Sequence, residues 1–83
     1  MAVTVRFFAA LRDKAGCTSL DVEDLPEPPT IDALAAQVSQ RGALGDALMQ
    51  PTVRVILNGA VADRAALLCD HDEVAFCPPF SGG

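Results

Sequence analysis

The fold is decided by AVTVRFF, residues 2–8, because this segment has the two-residue periodicity of a β-strand. Successive side chains of a strand point to opposite sides of its sheet, so an alternating segment has two different faces. One face is apolar and the other is mixed, with Val3, Val5 and Phe7 set against Thr4, Arg6 and Phe8. The segment therefore predicts a strand with one face on a core.

A second alternating segment follows a short polar interruption. Residues 13–16, Asp-Lys-Ala-Gly, end in glycine and predict a turn. Residues 18–23 alternate again, with Leu20 and Val22 on the inner face. Two strands so close in sequence are expected to pair as an antiparallel hairpin.

The residues after this hairpin predict one main helix. Thr30 is a suitable N-cap, because its side-chain oxygen can accept a hydrogen bond from the first turn. The apolar residues that follow have the spacing of a helical stripe: Ile31, Leu34, Ala35 and Val38. Arg41 in the last turn and Gly42 just beyond it predict the end of the helix. Residues 43–49 predict at most a short further turn.

Three further strands complete the predicted fold. Residues 53–57 are apolar except for Arg54 and largely β-branched, and Asn58-Gly59 is a tight-turn dipeptide that leads into a short strand at residues 60–61. Residues 73–77 predict the last strand, which two prolines terminate. The order β-β-α-β-β-β predicts an α+β fold of the β-grasp type, with a mixed four- to five-stranded sheet packed on one main helix. It is a single domain, residues 1–83, with residues 78–83 as an extended tail.

Composition excludes several classes of function. Six basic residues against eleven acidic ones give a net charge of −5, so the chain lacks the cationic surface that nucleic acid binding requires. No stretch reaches the roughly 20 apolar residues of a membrane span. Three cysteines without a CxxC spacing and one histidine suggest neither a disulfide framework nor a metal site. These features predict a cytoplasmic protein that binds neither nucleic acid nor membrane.

The end of the sequence, PPFSGG at residues 78–83, is its chemically unusual part, since no set of catalytic side chains can be assembled elsewhere. Six extended residues reach about 20 Å, far enough to enter the cleft of another protein. Gly82 and Gly83 lack Cβ atoms and fit a narrow channel, and the carboxylate of Gly83 is the reactive group at the tip. A bare diglycine is equally typical of a frayed terminus.

Three motifs give that tail a context: VRFFAALRDKAG at residues 5–16, VILNGAVAD at 55–63 and DEVAFCPPFSGG at 72–83. In these motifs the chain resembles the small subunit of molybdopterin synthase, the MoaD family of ubiquitin-like sulfur carriers. The last motif is the most specific, because it joins the final strand, the double proline and the diglycine at fixed spacing. The sequence departs from the family's usual glycine at His71 and its usual valine at Phe80.

The resemblance implies a sulfur-carrying mechanism. An adenylating enzyme of the ubiquitin-activating type would use ATP to form an acyl-adenylate on Gly83. Sulfur from a persulfide donor, a sulfurtransferase or cysteine desulfurase, would replace AMP and leave a thiocarboxylate. The tail would then enter the large synthase subunit, which holds the catalytic side chains, and donate sulfur to the pyranopterin precursor of the molybdenum cofactor. The residues expected to thread into that partner are Pro78, Pro79, Phe80, Ser81 and Gly82.

The resemblance also implies how the subunits assemble. Two small subunits would sit at the ends of a large-subunit dimer as a heterotetramer, and the isolated small subunit would bind no cofactor. The sheet face without a covering helix is the expected docking surface, because apolar residues are predicted there. Those residues are Phe8, Ile56, Ala60, Ala75 and Cys77.

Three other functions remain open for this sequence. A ThiS-like carrier would pass sulfur to thiazole synthesis through the same carboxylate. A protein modifier would join Gly83 to lysines by isopeptide bonds. A ubiquitin-like binding module would have an inert tail, and deletion of Gly83 distinguishes it, because such a module would keep its function.

Overall fold

The protein forms a five-stranded mixed sheet with one main helix on one face. The structure, a computed structural model, describes residues 2–78. Its elements are β1 Val3–Phe7, α1 Ala10–Ala15, β2 Ser19–Val22, α2 Ile31–Val38, a 3₁₀ turn Ala47–Met49, β3 Arg54–Leu57, β4 Ala60–Val61 and β5 Glu73–Cys77. The strand order is β2-β1-β5-β3-β4, with β1 parallel to β5 and the other neighbours antiparallel. The predicted α+β fold of the β-grasp type is confirmed.

The centre of the sheet is formed by the first and last strands. In the parallel register Val5 lies beside Val74 and Phe7 beside Phe76, and all four side chains are buried. The rings of Phe7 and Phe76 stack with their centroids 6.4 Å apart. The alternation in residues 3–7 therefore selects the core face correctly.

Helix α2 covers this core and ends earlier than its sequence suggested. Thr30 caps it, since its hydroxyl oxygen accepts a hydrogen bond from the N–H of Ala33 at 3.1 Å. The stripe Ile31, Leu34, Ala35 and Val38 is buried as predicted. The helix stops at Val38, so Arg41 and Gly42 lie beyond its last turn.

Gly42 allows a close approach to α1 and does not cap the end of α2. It has a φ of 52°, and a Cβ atom there would lie 2.7 Å from the carbonyl oxygen of Lys14. The next residue, Ala43, donates its N–H to that same oxygen at 2.8 Å. A glycine is required because the chain passes too close to α1 for any side chain.

Helix α1 is the element that the sequence did not predict. The residues expected to form a turn, 13–16, are the end of this helix and its C-cap, Gly16, which has a φ of 78°. Strand β1 correspondingly ends at Phe7, one residue earlier than predicted. Leu11 and Ala15, four residues apart, bury one side of the helix against the core. Because only two positions of this helix are buried, its sequence shows too little helical periodicity to predict a helix.

Substitution of the two adjacent phenylalanines tests the assignment of sheet faces. Phe7→Ala should lower the free energy of unfolding by about 3–5 kcal/mol, because it removes a buried aromatic side chain. Phe8→Ala should lower it far less, since Phe8 is 43% exposed. Urea unfolding of both variants measures the difference, and equal losses would show that the faces are assigned wrongly.

Candidate functional site

The sheet has an outer face, opposite α2, that no element of residues 2–78 covers. Cross-strand neighbours share a face, so the register defines which side chains lie there. Arg6 and Ile56 both lie beside Ala75, Arg54 lies beside Cys77, and Val61 lies beside Ile56. We call the surface formed by these residues, with Thr4, Glu73 and the adjacent Phe8, the outer face.

Four of the five residues predicted for a docking surface lie on or beside the outer face. Phe8 follows β1 and continues its ladder, because its N–H donates to the carbonyl oxygen of Phe76 at 3.3 Å. The guanidinium of Arg6 lies 5.9 Å from the centre of the Phe8 ring, which orients the ring on this face. Ile56 and Cys77 are half-buried, whereas Ala75 is buried and offers little contact area.

The fifth predicted residue, Ala60, is on the other side of the sheet. The tight turn at Asn58-Gly59 pairs Ala60 with Leu57, whose side chain packs against the core. Its neighbour Val61 therefore lies on the outer face, with 76% of its surface exposed. Counting back from the two-residue turn would have found Val61, because that turn fixes which residues pair.

The charged side chains of the outer face are exposed to solvent. Arg6 and Glu73 form an ion pair at 3.4 Å, with both side chains 51% exposed, so it contributes little to stability. Arg54 forms no ion pair with any group in residues 2–78. It lies opposite Cys77, whose pKa is raised by burial, an effect that the nearby Arg54 charge partly offsets. The raised pKa makes Cys77 a poor nucleophile at neutral pH.

The C-terminal segment leaves from the middle of the sheet. Strand β5 lies between β1 and β3 and ends at Cys77, next to Pro78, which is half-buried. The other predicted tail residues, Pro79, Phe80, Ser81, Gly82 and Gly83, lie outside the described residues. What the structure gives is therefore a fixed base for the tail, at the edge of the outer face.

The start of β5 is fixed by the side chain of Asn58. Its amide nitrogen donates to Asp72 Oδ1 at 2.9 Å, and its amide oxygen accepts the Glu73 N–H at 2.9 Å. Asp72 Oδ2 also accepts the Cys69 N–H at 2.8 Å. These bonds tie the β3–β4 turn to β5. His71, which precedes Asp72, has a φ of 70°, in the left-handed region that favours glycine.

Residues 2–78 contain no cluster of three or more histidine, cysteine or acidic side chains that could hold a metal ion. Within the same residues no helix is both long and apolar enough to span a membrane.

Comparison with known proteins identifies the family. The model of the ThiS family matches residues 5–83. The chain belongs to the ThiS family. It is 38% identical over 85 residues to the "Molybdopterin synthase sulfur carrier subunit" of Escherichia coli (strain K12), an alignment that covers 98% of this chain and 99% of the relative. The predicted resemblance to the small subunit of molybdopterin synthase is thereby confirmed.

Solved structures of similar proteins share the fold over the whole chain. The structure of SAMP1 from Haloferax volcanii has a TM-score of 0.84 and 29% identity, with 100% of both chains covered. A complex of subunits 1 and 2 of the molybdopterin-converting factor from Helicobacter pylori contains a chain with a TM-score of 0.71 and 24% identity, again with 100% of both chains covered. This ThiS-family chain is thus a ubiquitin-like β-grasp protein.

Thiol alkylation tests the environment of Cys77. Cys69 is exposed, whereas Cys77 is half-buried and has a raised pKa. Iodoacetamide at neutral pH should therefore modify Cys69 faster than Cys77, because only the thiolate reacts. Peptide mass spectrometry over time measures both rates. Equal rates of alkylation at Cys69 and Cys77 in the folded protein would contradict the placement of Cys77.

Proposed function

We propose that this chain is the sulfur carrier subunit of a molybdopterin synthase and that the carboxylate of Gly83 carries the sulfur. The observation that supports this most directly is the similarity to the Escherichia coli sulfur carrier subunit over nearly the full length of both proteins. The residues from Glu73 to Gly83 combine the central strand, the double proline and the diglycine that such a role requires.

The chain supplies a carboxylate, and its partners supply the catalysis. Attack of the Gly83 carboxylate on the α-phosphorus of ATP releases pyrophosphate and leaves an acyl-adenylate. A persulfide sulfur then displaces AMP and forms an acyl disulfide with the donor. A second thiol of the donor attacks the donor's sulfur in this S–S bond, which releases the thiocarboxylate and leaves the donor as a disulfide. The body of the protein contributes the base of the tail, at Cys77 and Pro78. We propose that the residues after Pro78 enter the partner's cleft.

We propose the outer face as the docking surface for a large synthase subunit. Phe8 and Val61 are exposed apolar side chains on this face, and exposed apolar patches of this kind typically mark interfaces. The name of the Escherichia coli relative describes one subunit of a synthase, and the Helicobacter pylori structure contains subunit 1 together with subunit 2. By analogy we propose a heterotetramer for this chain.

The remaining partners follow from the same chemistry. We propose an adenylating enzyme of the ubiquitin-activating type, which brings ATP, and a sulfurtransferase or cysteine desulfurase as the source of persulfide. We infer a cytoplasmic location, because Cys17, Cys69 and Cys77 are all free thiols and suit a reducing compartment.

Intact-mass analysis of the loaded protein tests the role of Gly83. Incubation with the adenylating enzyme, ATP and a persulfide donor should raise the mass by the difference between one sulfur and one oxygen. Fragmentation should place the gain on Gly83. A variant in which all three cysteines are serine should gain the same mass, and a variant lacking Gly83 should lose sulfur-transfer activity.

The outcomes separate the rival functions. A mass gain located on a cysteine would contradict the proposal. So would a triple-serine variant that folds but cannot be loaded with sulfur. A modifier would instead form a covalent adduct between Gly83 and a lysine amine. If the loaded protein supports thiazole synthesis but transfers no sulfur to the pyranopterin precursor, it is a ThiS-like carrier.

The docking surface can be tested with a matched pair of variants. Phe8→Ala should weaken binding to the large subunit by about 1–3 kcal/mol, because interface energy concentrates in a few aromatic anchors. Met49→Ala is the control, since Met49 is 40% exposed, close to the 43% of Phe8, but lies in the 3₁₀ turn that packs against α2. Calorimetric titration should show a loss of affinity for the large subunit with Phe8→Ala only. Equal affinities for both variants would exclude the outer face as the docking surface.

A further inference from the structure

Within residues 2–78, strand β2 forms one edge of the sheet, and no strand of these residues pairs with its outer side. The order β2-β1-β5-β3-β4 gives β2 a neighbour on one side only. The opposite edge, β4, has 2 residues against 4 in β2, so β2 is the longer edge. An unpaired edge presents backbone N–H and C=O groups that can bind another strand.

The pairing with β1 shows which groups point outward. The N–H of Phe7 donates to the carbonyl oxygen of Thr18 at 2.9 Å, and bonded pairs alternate with non-bonded pairs along an antiparallel ladder. Two residues on, Leu20 is therefore bonded to β1, whereas Ser19 and Asp21 are not. The N–H and C=O groups of Ser19 and Asp21 point away from the sheet, and no other group of residues 2–78 binds them.

A groove runs beside this edge and leaves room for an added strand. It lies between β2 and the end of α2, with a volume of about 490 Å³, and its helix side is formed by Gln37, Val38, Gln40 and Arg41. The sequence of β2, SLDV, contains neither proline nor lysine, the residues that commonly block an edge. The Asp21 carboxylate accepts a hydrogen bond from Thr4 Oγ1 at 3.0 Å, which holds it over the outer face and away from the edge.

The charges around this groove indicate which kind of segment could bind there. Asp21, Glu23 and Asp24 are among the residues that surround it, and Arg41 is the one cation among them. Pairing of β2 with β2 of a second copy would bring these carboxylates together, and like charges directly opposite one another destabilise a sheet. Basic side chains on an incoming strand would instead meet Asp21 and Glu23, which are two residues apart and therefore share a face.

We propose that the β2 edge binds an extended, basic segment of a partner protein as a sixth strand of the sheet. Ser19 and Asp21 provide the main-chain hydrogen bonds, and lysine or arginine at alternate positions of the segment faces Asp21 and Glu23. Because β1 separates β2 from β5, about 10 Å lies between this edge and the strand that carries the tail. A partner can be held at β2 while the tail is engaged elsewhere, and the proposal is independent of the sulfur chemistry.

Titration of the ¹⁵N-labelled full chain with a synthetic peptide tests the proposal. The probe is an acetylated and amidated seven-residue peptide of alternating lysine and valine. Backbone amide signals of Ser19, Asp21 and neighbouring residues should shift in a saturable manner, and the amides of Ser19 and Asp21 should exchange more slowly with solvent. Signals of Phe8 and Arg54, on the outer face, should change little.

Two controls separate strand addition from simple charge attraction. The same peptide with N-methyl groups on alternate backbone nitrogens keeps its charge but cannot complete the ladder, so its binding should be lost. Glu23→Lys should weaken binding of the original peptide about two- to fivefold, as expected for one cross-strand charge pair. Asp46→Lys, an equal charge change at an exposed residue outside the groove, should have little effect.

Several results would overturn the proposal. They are the absence of saturable shifts at millimolar peptide, shifts centred on the outer face, undiminished binding of the N-methylated peptide, and equal losses for Glu23→Lys and Asp46→Lys. None of these results bears on Gly83, because the mass measurement of sulfur loading does not involve β2.

Discussion

The parallel pairing of β1 with β5 is the contact on which the rest of the structure depends. It joins the first strand of the chain to the last at the centre of the sheet, and it places Phe7 against Phe76 beneath α2. Strands so distant in sequence can pair in parallel only if the intervening chain crosses over, and here that crossing includes α2. The same pairing fixes the direction in which the chain leaves β5, and so the base of the diglycine tail.

The strands and the main helix could be predicted from the sequence because their burial is strongly periodic. Val3, Val5 and Phe7 mark one face of β1, and Thr30 with the stripe behind it marks the start of α2. Helix α1 could not be predicted, since it buries only Leu11 and Ala15 and its remaining residues are exposed. Its position depends on a tertiary contact, the hydrogen bond from Ala43 to Lys14, which has no local signal.

The candidate site could be predicted where the strands that form it alternate between buried and exposed residues. Alternation places Phe8, Ala75 and Cys77 on or beside the outer face, but it does not say how much of each is accessible. Ala75 is buried although no helix covers it, because its neighbours on both sides, Arg6 and Ile56, are long. Ala60 was misplaced because the short strand β4 has no alternation of its own, and only the geometry of the preceding turn sets its face.

The arrangement of strands separates a buried core from an exposed face and an acidic edge within residues 2–78. The core lies under α2, the exposed apolar side chains Phe8 and Val61 lie on the opposite face, and the acidic residues of β2 lie at one edge. Substitutions in the core act on both surfaces at once, because they loosen the β1–β5 pair that positions each of them. Substitutions on a surface act locally, since surface side chains far apart usually contribute independently. A loss of the proposed sulfur transfer therefore indicates a role in docking or chemistry only where the free energy of unfolding is unchanged.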